Sequence, residues 1–297
     1  MTAAWRRPGA PVLAHLALVG AAFFFGTTFI VVKDAVDTAG PVPFLAVRFL
    51  IGAAVVWPFA RRRPSAPGLG RAGVLCGVAL LGGYLFQTIG LQYVTSSVSA
   101  FITYLLVVIV PLLSAAVLRR PPRPPTIAGI AVAFAGLFLL NGARLTFGEG
   151  ELLTVGCAFC FALHVVLLAD FAPRFDPLRL NAVQLAVVGA GCLVPGLVTG
   201  GYGFPASVWL AAAYTGVAAS AVAFGLMVWA QQRVGPSRTA LLLMLEPVFA
   251  GVAGYLAGEH LGALGVAGAA LILFGIAVAE FGPLLLPPPR LDRAVKG

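Results

Sequence analysis

Apolar residues along this chain form long runs that are separated by short segments rich in glycine and proline. At the rise of an α-helix, about 20 residues cross about 30 Å, the thickness of the hydrocarbon core of a bilayer. Glycine and proline between such runs act as helix breakers. The pattern therefore predicts an all-α integral membrane protein with ten transmembrane helices, near residues 13–33, 43–60, 72–92, 97–118, 125–141, 152–170, 178–199, 208–231, 237–257 and 263–285.

Composition and charge agree with this pattern. Hydrophobic residues make up 60% of the 297 residues and charged residues only 10%, with a formal net charge of +9. Most basic residues lie in alternate loops, such as Arg6, Arg7 and the run 61–63, whereas Asp34 and Glu149 lie in the opposite set. The positive-inside rule then predicts that both termini are cytoplasmic. The basic loops are short and lack interleaved aromatic residues, so they do not indicate nucleic-acid binding.

One apolar run, residues 239–258, contains a charge beside a helix breaker. Glu246 is its one charged residue, and Pro247 follows at once. A carboxylate at that depth costs about 2.5–3.5 kcal/mol or more if it faces lipid, and Pro247 leaves the carbonyl of Leu243 without its helical donor. Glu246 should therefore face inward. It either bridges helices in a protonated or paired form, or it binds substrate or carries a proton.

The two halves of the chain carry matching residues at an offset of 136 that drifts to 139 in places, which indicates a duplication. Residues 1–145 would form spans one to five, and residues 146–297 would form spans six to ten. Because five is odd, the second unit would be inverted, and an inverted repeat with broken helices is typical of secondary transporters. The aligned pairs include Gly20 with Gly156, Phe23 with Phe159, Asp34 with Asp170, and the predicted helix-breaking residues Pro111 with Pro247.

Several motifs in this order carry a family resemblance over nearly the whole chain. They are FFFGTTFIVVK in span one, PFLAVRFL in span two, GLQYVTSSVSAFITYLLVVIVPLL up to span four, and LEPVFAGVAGYLAGEHL followed by GVAGAALILFGIAVA at the end. With this order and duplication the chain resembles the drug/metabolite transporter superfamily, in its ten-helix EamA-type branch, and is similar to aromatic amino-acid exporters. The resemblance implies a carrier of the bacterial inner membrane that works by alternating access. It also implies a central cavity lined mainly by spans one, three, four, six, eight and nine.

Polar and aromatic residues on those spans are the candidate substrate-binding residues. They are Thr28, Tyr84, Gln87, Thr103, Tyr104, His164, Ser220, Trp229 and Glu246. We expect Glu246 and His164 to form a proton-linked site or a site for a substrate ammonium group, because a carboxylate pairs strongly with an amino group at low dielectric. A neutral His164 bonded to a neighbouring carbonyl is the alternative. Tyr84, Gln87 and Tyr104 could equally form hydrogen bonds between helices.

Other residues have simpler interpretations. Arg48 in span two and Lys33 at the end of span one are expected to snorkel to the outer surface. Cys157 and Cys160 have a redox or zinc spacing, but no second pair accompanies them, so packing is the better interpretation. The phenylalanines at 23, 25, 86, 101, 161 and 224 could form an apolar pocket or simply pack.

The sequence thus predicts an exporter of small metabolites, with aromatic or hydrophobic amino acids first. Efflux of drugs or cationic compounds is the alternative, in which Glu246 would bind the cation. An enzyme is not predicted, because the histidines are well separated and no paired carboxylates have metal-ligand spacing. We expect no cofactor, no metal and no nucleic acid. The expected partners are a small-molecule substrate, the lipid bilayer and protons as a candidate coupling ion, and the expected state is a monomer.

Overall fold

The computed structural model describes residues 10–94, 99, 102–119, 122–140, 148–256 and 262–285. Throughout these residues the regular secondary structure is helical. The predicted all-α class is therefore confirmed for the described part of the chain.

The helices follow one another with short connections. The first half contains α1 (Ala10–Ala39), α2 (Pro41–Ala60), α3 (Leu69–Gly90), α4 (Leu106–Leu118) and α5 (Pro124–Leu140). The second half contains α6 (Glu149–Phe171), α7 (Pro177–Thr199), α8 (Ala206–Thr215), a π-helix (Gly216–Ala223), α9 (Phe224–Gln231), α10 (Pro236–Leu243), α11 (Leu245–Leu256) and α12 (Ala263–Leu285).

Helix length and apolar surface make this a multi-pass membrane protein. Five helices in the described part are long and apolar enough to cross a membrane, namely α2, α3, α6, α7 and the continuous stretch Ala206–Gln231. Shorter apolar helical stretches lie in α1, α4, α5 and α12. Large apolar side chains point outward, with Val198 84% and Leu256 81% exposed, as a lipid-facing surface requires. The count of ten spans stays a prediction.

Helix ends follow from local chemistry. Pro41, Pro177 and Pro236 occupy the first positions of α2, α7 and α10. A backbone N–H at that position would have no acceptor within the helix, so proline costs no hydrogen bond there. The Asp176 side chain accepts hydrogen bonds from the backbone nitrogens of the next turn and caps α7. Gly40 adopts a positive φ of 75°, which lets α1 pass directly into α2.

Close helix pairs hold the bundle together. Helix α2 packs along α7, α5 along α12, and α3 along α6. Glycine makes the α5–α12 contact possible, because a β-carbon at Gly129 would lie 2.4 Å from the carbonyl oxygen of Gly275. Such small residues let two backbones approach closely in a membrane. The division at residue 145 and the inversion of the second half stay predictions.

The two predicted helix-breaking prolines lie in different settings. Helix α10 ends at Leu243 and α11 begins at Leu245, so Pro247 lies in the first turn after a break. Pro111 lies inside α4, which runs through it. The interruption in that segment lies earlier, at Tyr104 and Leu105, just before α4 begins. One proline removes a single hydrogen bond, which the rest of a helix can tolerate when neighbouring groups satisfy the freed carbonyl.

Candidate functional site

A cavity of about 560 Å³ lies where the helices of the two halves meet. Residues of α1, α2, α3, α6 and α9 line it, together with the segments around the breaks before α4 and α11. Its size is within the range of small-molecule sites, about 300–1,000 Å³. Helix α2 also contributes Arg48 and Leu45 to the lining, although span two is not among the spans that the resemblance implies as the main lining.

The cavity reaches the surface at one end of the bundle. Asp37 and Gln92 line that end and are exposed. At the opposite end the lining stops at the buried residues Val165 and Met227. The arginine-bearing loops are those at residues 61–68, 119–123, 172–176 and 232–235, and none of their described residues lines the cavity. The cavity therefore opens on the face opposite those loops.

Glu246 lies at the helix break and is bound by a tyrosine from the other half. The Tyr104 hydroxyl donates to Glu246 Oε2 at 2.7 Å, and it also lies 2.9 Å from the carbonyl oxygen of Leu243. That carbonyl is the one that Pro247 deprives of its helical donor. A phenolic hydroxyl has one proton to donate, so the two acceptors share it. No ion pair joins Glu246 to a basic group within the described residues.

Arg48 is inside the protein, which corrects the expectation that it snorkels to the surface. Its side chain is 4% exposed and lines the same cavity as Glu246. Nε donates to the Ser220 hydroxyl at 3.2 Å, and the guanidinium carbon lies 5.3 Å from the ring centroids of both Phe49 and Tyr84. Cation–π contacts at this distance stabilise a guanidinium. The sequence signal for this role was a charge within an apolar span, aligned with Gln184 in the second half.

His164 belongs to a chain of side-chain hydrogen bonds. Its Nε2 lies 2.9 Å from Gln184 Oε1, Gln184 Nε2 donates to Asn181 Oδ1 at 2.9 Å, and Asn181 Nδ2 donates to the carbonyl of Ala221 at 3.2 Å. A backbone carbonyl can only accept, so it fixes the orientation of both amides. His164 Nε2 must then be the donor to Gln184. The partner of His164 is thus a side-chain amide, where the alternative interpretation expected a backbone carbonyl.

Most of the remaining predicted residues line the cavity. Thr28, Tyr84, Gln87, Thr103 and Tyr104 line the cavity together with His164 and Glu246. Gln87 Nε2 donates to Thr103 Oγ1 at 3.4 Å and Thr28 Oγ1 donates to the Phe24 carbonyl at 2.7 Å. Ser220 acts from the π-helix by holding Arg48.

Trp229 lies outside the cavity, contrary to its predicted place. It lines a separate surface groove with Phe175 and Gln232, and the Arg233 guanidinium lies 4.4 Å from its ring centroid. The reason is helical geometry. Phe224 faces the cavity from α9, and five further residues turn the helix by about 140° away from that face.

Aromatic rings form part of the cavity wall. Phe25, Phe161 and Phe224 line it, and Tyr84 packs edge-on against Phe161 at a centroid distance of 5.2 Å. Phe23 and Phe86 are instead exposed, and Phe101 lies outside the described residues. Within the described chain there is no group of histidine, cysteine and acidic residues that could hold a metal ion.

Comparison with known proteins agrees with the geometry. The sequence profile of the EamA-like transporter family matches residues 12–142 and 148–281. An uncharacterized transporter of Archaeoglobus fulgidus is 31% identical over 240 residues, which cover 80% of this chain and 75% of the relative. A WAT1-related chloroplastic protein of Arabidopsis thaliana is 24% identical over 285 residues, or 89% of this chain and 68% of the relative.

A solved crystal structure shows the same fold. The two structures superpose with a TM-score of 0.79 at 22% sequence identity, and the match covers 93% of this chain and 99% of the other. At that identity the likeness concerns the fold alone.

Proposed function

Because the chain belongs to the EamA-like transporter family, we propose that it is a secondary transporter that exports small metabolites, above all amino acids with aromatic or hydrophobic side chains. The proposed mechanism is alternating access around the central cavity, in a bacterial inner membrane and with a single chain as the working unit. Both termini are proposed to be cytoplasmic. A proton is the proposed coupling ion.

Glu246 is the observation that supports an amino-acid substrate most directly. Its carboxylate lines the cavity and receives one hydrogen bond, from the Tyr104 hydroxyl, without an ion-pair partner among the described residues. A carboxylate in a low-dielectric site gains most from a charged donor such as an ammonium group. The α-ammonium group of an amino acid supplies that donor.

The aromatic wall supports a substrate with an apolar side chain. Phe25, Phe161 and Phe224 lie in the lining, and Phe25 packs edge-on against Phe224 at 5.0 Å. A substrate ring entering this wall would gain similar edge-on contacts, worth about 0.5–1.5 kcal/mol beyond the area they bury. Sugars and phosphates would gain little from it.

Glu246 also supports the alternative, the efflux of cationic compounds. A lipophilic cation would satisfy the carboxylate and the aromatic wall, but it would bring a second positive charge into the cavity that contains Arg48. An amino acid avoids that repulsion because its carboxylate is opposite in charge to Arg48. We therefore place amino-acid export first.

Counterflow in liposomes tests the proposal. The purified full-length protein is placed in vesicles loaded with unlabelled phenylalanine, and the entry of labelled phenylalanine is followed with and without a pH gradient. We expect saturable entry that tryptophan and methionine inhibit and that the gradient changes. Entry no faster than in protein-free vesicles would refute amino-acid transport, and inhibition by a lipophilic quaternary ammonium compound alone would favour the alternative.

Substitution of Glu246 tests the site itself. Glu246→Gln keeps the shape and removes the charge, so we expect at least about a tenfold loss in the rate of phenylalanine exchange and loss of the response to the pH gradient. Glu149→Gln is the matched control, because Glu149 is exposed at the start of α6. Normal exchange by Glu246→Gln at every pH would exclude Glu246 from substrate and proton binding.

A further inference from the structure

A buried positive charge in the cavity forms no direct ion pair within the described part of the chain. The Arg48 side chain is 4% exposed, and no carboxylate in the described part of the chain forms an ion pair with it. Its contacts are the Ser220 hydroxyl and the rings of Phe49 and Tyr84, all of them neutral. Burying a charge without a directly paired opposite charge is costly, so an anion that enters the cavity and contacts Arg48 would be stabilised there.

The neutral contacts hold the guanidinium in place without neutralising it. The Ser220 hydroxyl accepts a hydrogen bond from Nε on one side. The ring centroids of Phe49 and Tyr84 each lie 5.3 Å from the guanidinium carbon. The residue nevertheless lines the cavity. A guanidinium that is oriented by its neighbours is well suited to recognise a planar anion through two parallel hydrogen bonds.

The cavity also contains an acidic residue, Glu246, which is not in direct contact with Arg48. Glu246 and Arg48 line the same space, yet they do not form an ion pair. Different elements anchor them, because Tyr104 binds Glu246 and the π-helical Ser220 binds Arg48. Two opposite charges that are kept apart in one cavity are complementary to a molecule that carries both signs.

We propose that Arg48 binds the carboxylate of the transported molecule, so that the cavity is built for a zwitterion whose ammonium group meets Glu246. The zwitterion rests on the proposed function, whereas the carboxylate site at Arg48 stands on its own geometry. It adds a specificity-determining residue on α2, which the family resemblance did not assign to the cavity. It also excludes purely cationic compounds as preferred substrates.

A binding experiment tests Arg48 without any transport step. The full-length protein in detergent is heated with 3-phenylpropionate, which carries only the carboxylate, and with 2-phenylethylamine, which carries only the ammonium group. Sodium chloride and sodium phosphate at equal ionic strength serve as references. We expect phenylpropionate to raise the unfolding midpoint of the wild-type protein above both salts. An equal rise with sodium phosphate would overturn the assignment to a carboxylate in favour of a general anion site.

Three variants show whether Arg48 is responsible. Arg48→Gln should need at least about a tenfold higher phenylpropionate concentration for the same rise, because a buried charge-assisted contact is lost. The phenylpropionate concentration that Arg48→Lys requires should lie between those of the wild type and Arg48→Gln, since an ammonium group lacks the planar arrangement of donors in a guanidinium. Arg62→Gln, which removes a charge from an exposed loop position, should behave as the wild type.

Folding does not obscure the result. Because Arg48 forms no direct ion pair in the described part of the chain, removing its buried charge should leave the midpoint without ligand unchanged or raise it. Ser220→Ala provides a second variant that keeps the charge and releases Nε, and we expect it to weaken phenylpropionate binding less than Arg48→Gln does. Wild-type-like phenylpropionate binding by Arg48→Gln, or no rise for the wild-type protein, would overturn the proposal.

The two proposals fail in different ways. If phenylpropionate binds through Arg48 but phenylalanine is not exchanged in liposomes, amino-acid export is refuted and the carboxylate site stands. If Arg48→Gln exchanges phenylalanine as fast as the wild type, export stands and the role of Arg48 is refuted.

Discussion

At the scale of single residues, one hydroxyl links the acidic group of the cavity to the break in its helix. Tyr104 reaches both Glu246 Oε2 and the Leu243 carbonyl oxygen, and it has one proton for two acceptors. With an ionised Glu246, the proton goes to the carboxylate and the carbonyl loses its donor. With a protonated Glu246, the carboxylic acid can donate to Tyr104 while Tyr104 donates to Leu243. Protonation of Glu246 therefore leaves the Tyr104 hydroxyl free to donate to the Leu243 carbonyl at the helix break.

Tyr104→Phe tests this link. The change leaves the Leu243 carbonyl and Glu246 without a donor, which should lower the free energy of unfolding by about 1–3 kcal/mol. Phenylalanine exchange should also lose its response to a pH gradient. The measurements are thermal unfolding in detergent and counterflow in liposomes. Tyr214→Phe is the control because Tyr214 is 49% exposed on α8. A Tyr104→Phe protein with wild-type stability and an unchanged pH response would exclude the link.

Single residues also mark the limit of what the sequence predicts. Glu246 could be recognised because a carboxylate inside an apolar run must face inward. The partner Tyr104 could not be assigned, since the contact joins residues 142 positions apart. Arg48 was misjudged because a long side chain inside an apolar span can extend toward the surface or remain in the interior. Only the neighbouring Ser220, Phe49 and Tyr84 decide between those two directions.

At the scale of helices, a π-helical segment positions the contacts of the cavity. Residues Gly216–Ala223 carry both Ser220, which binds Arg48, and the Ala221 carbonyl, which ends the chain of hydrogen bonds from His164. π-helical turns often occur at functional sites. This segment could not be predicted from the sequence, because a wider turn leaves the apolar composition of the run unchanged. The apolar runs themselves located the helices well.

Gly52→Ala tests the packing of α2 on this segment. A β-carbon at Gly52 would lie 2.7 Å from Ser220 Cβ and 3.0 Å from the Gly216 carbonyl oxygen. The π-helix must then move away from α2, and we expect a loss of about 1–3 kcal/mol in the free energy of unfolding. Weaker binding of phenylpropionate should accompany it, because Ser220 moves with the segment.

The control for that change is Gly70→Ala. A β-carbon at Gly70 meets nothing within 4 Å, and alanine favours a helix over glycine by about 1 kcal/mol. Thermal unfolding should therefore show an unchanged or slightly raised midpoint for Gly70→Ala and a lowered one for Gly52→Ala. Equal midpoints for the two variants would show that α2 and the π-helix are not tightly packed.

At the scale of the whole molecule, the direction in which the cavity opens connects with the distribution of charge. The cavity reaches the exposed residues Asp37 and Gln92 at the end opposite the arginine-bearing loops. If those loops are cytoplasmic, as the positive-inside rule predicts, the structure is an outward-facing state. For an exporter, this is the state that releases substrate. The orientation therefore decides whether this state releases substrate or loads it.

Cysteine labelling determines that orientation. Single cysteines are introduced by Thr38→Cys, near the cavity mouth, and Ser65→Cys, in the loop after α2, since both positions are exposed. A membrane-impermeant thiol reagent added to intact cells should label Thr38→Cys and should label Ser65→Cys only after the cells are permeabilised. The protein without an introduced cysteine is the control, because Cys76, Cys157 and Cys192 are buried and Cys160 is partly buried. Labelling of Ser65→Cys in intact cells would place the arginine-bearing loops outside, and the open cavity would then face the cytoplasm in a substrate-loading state.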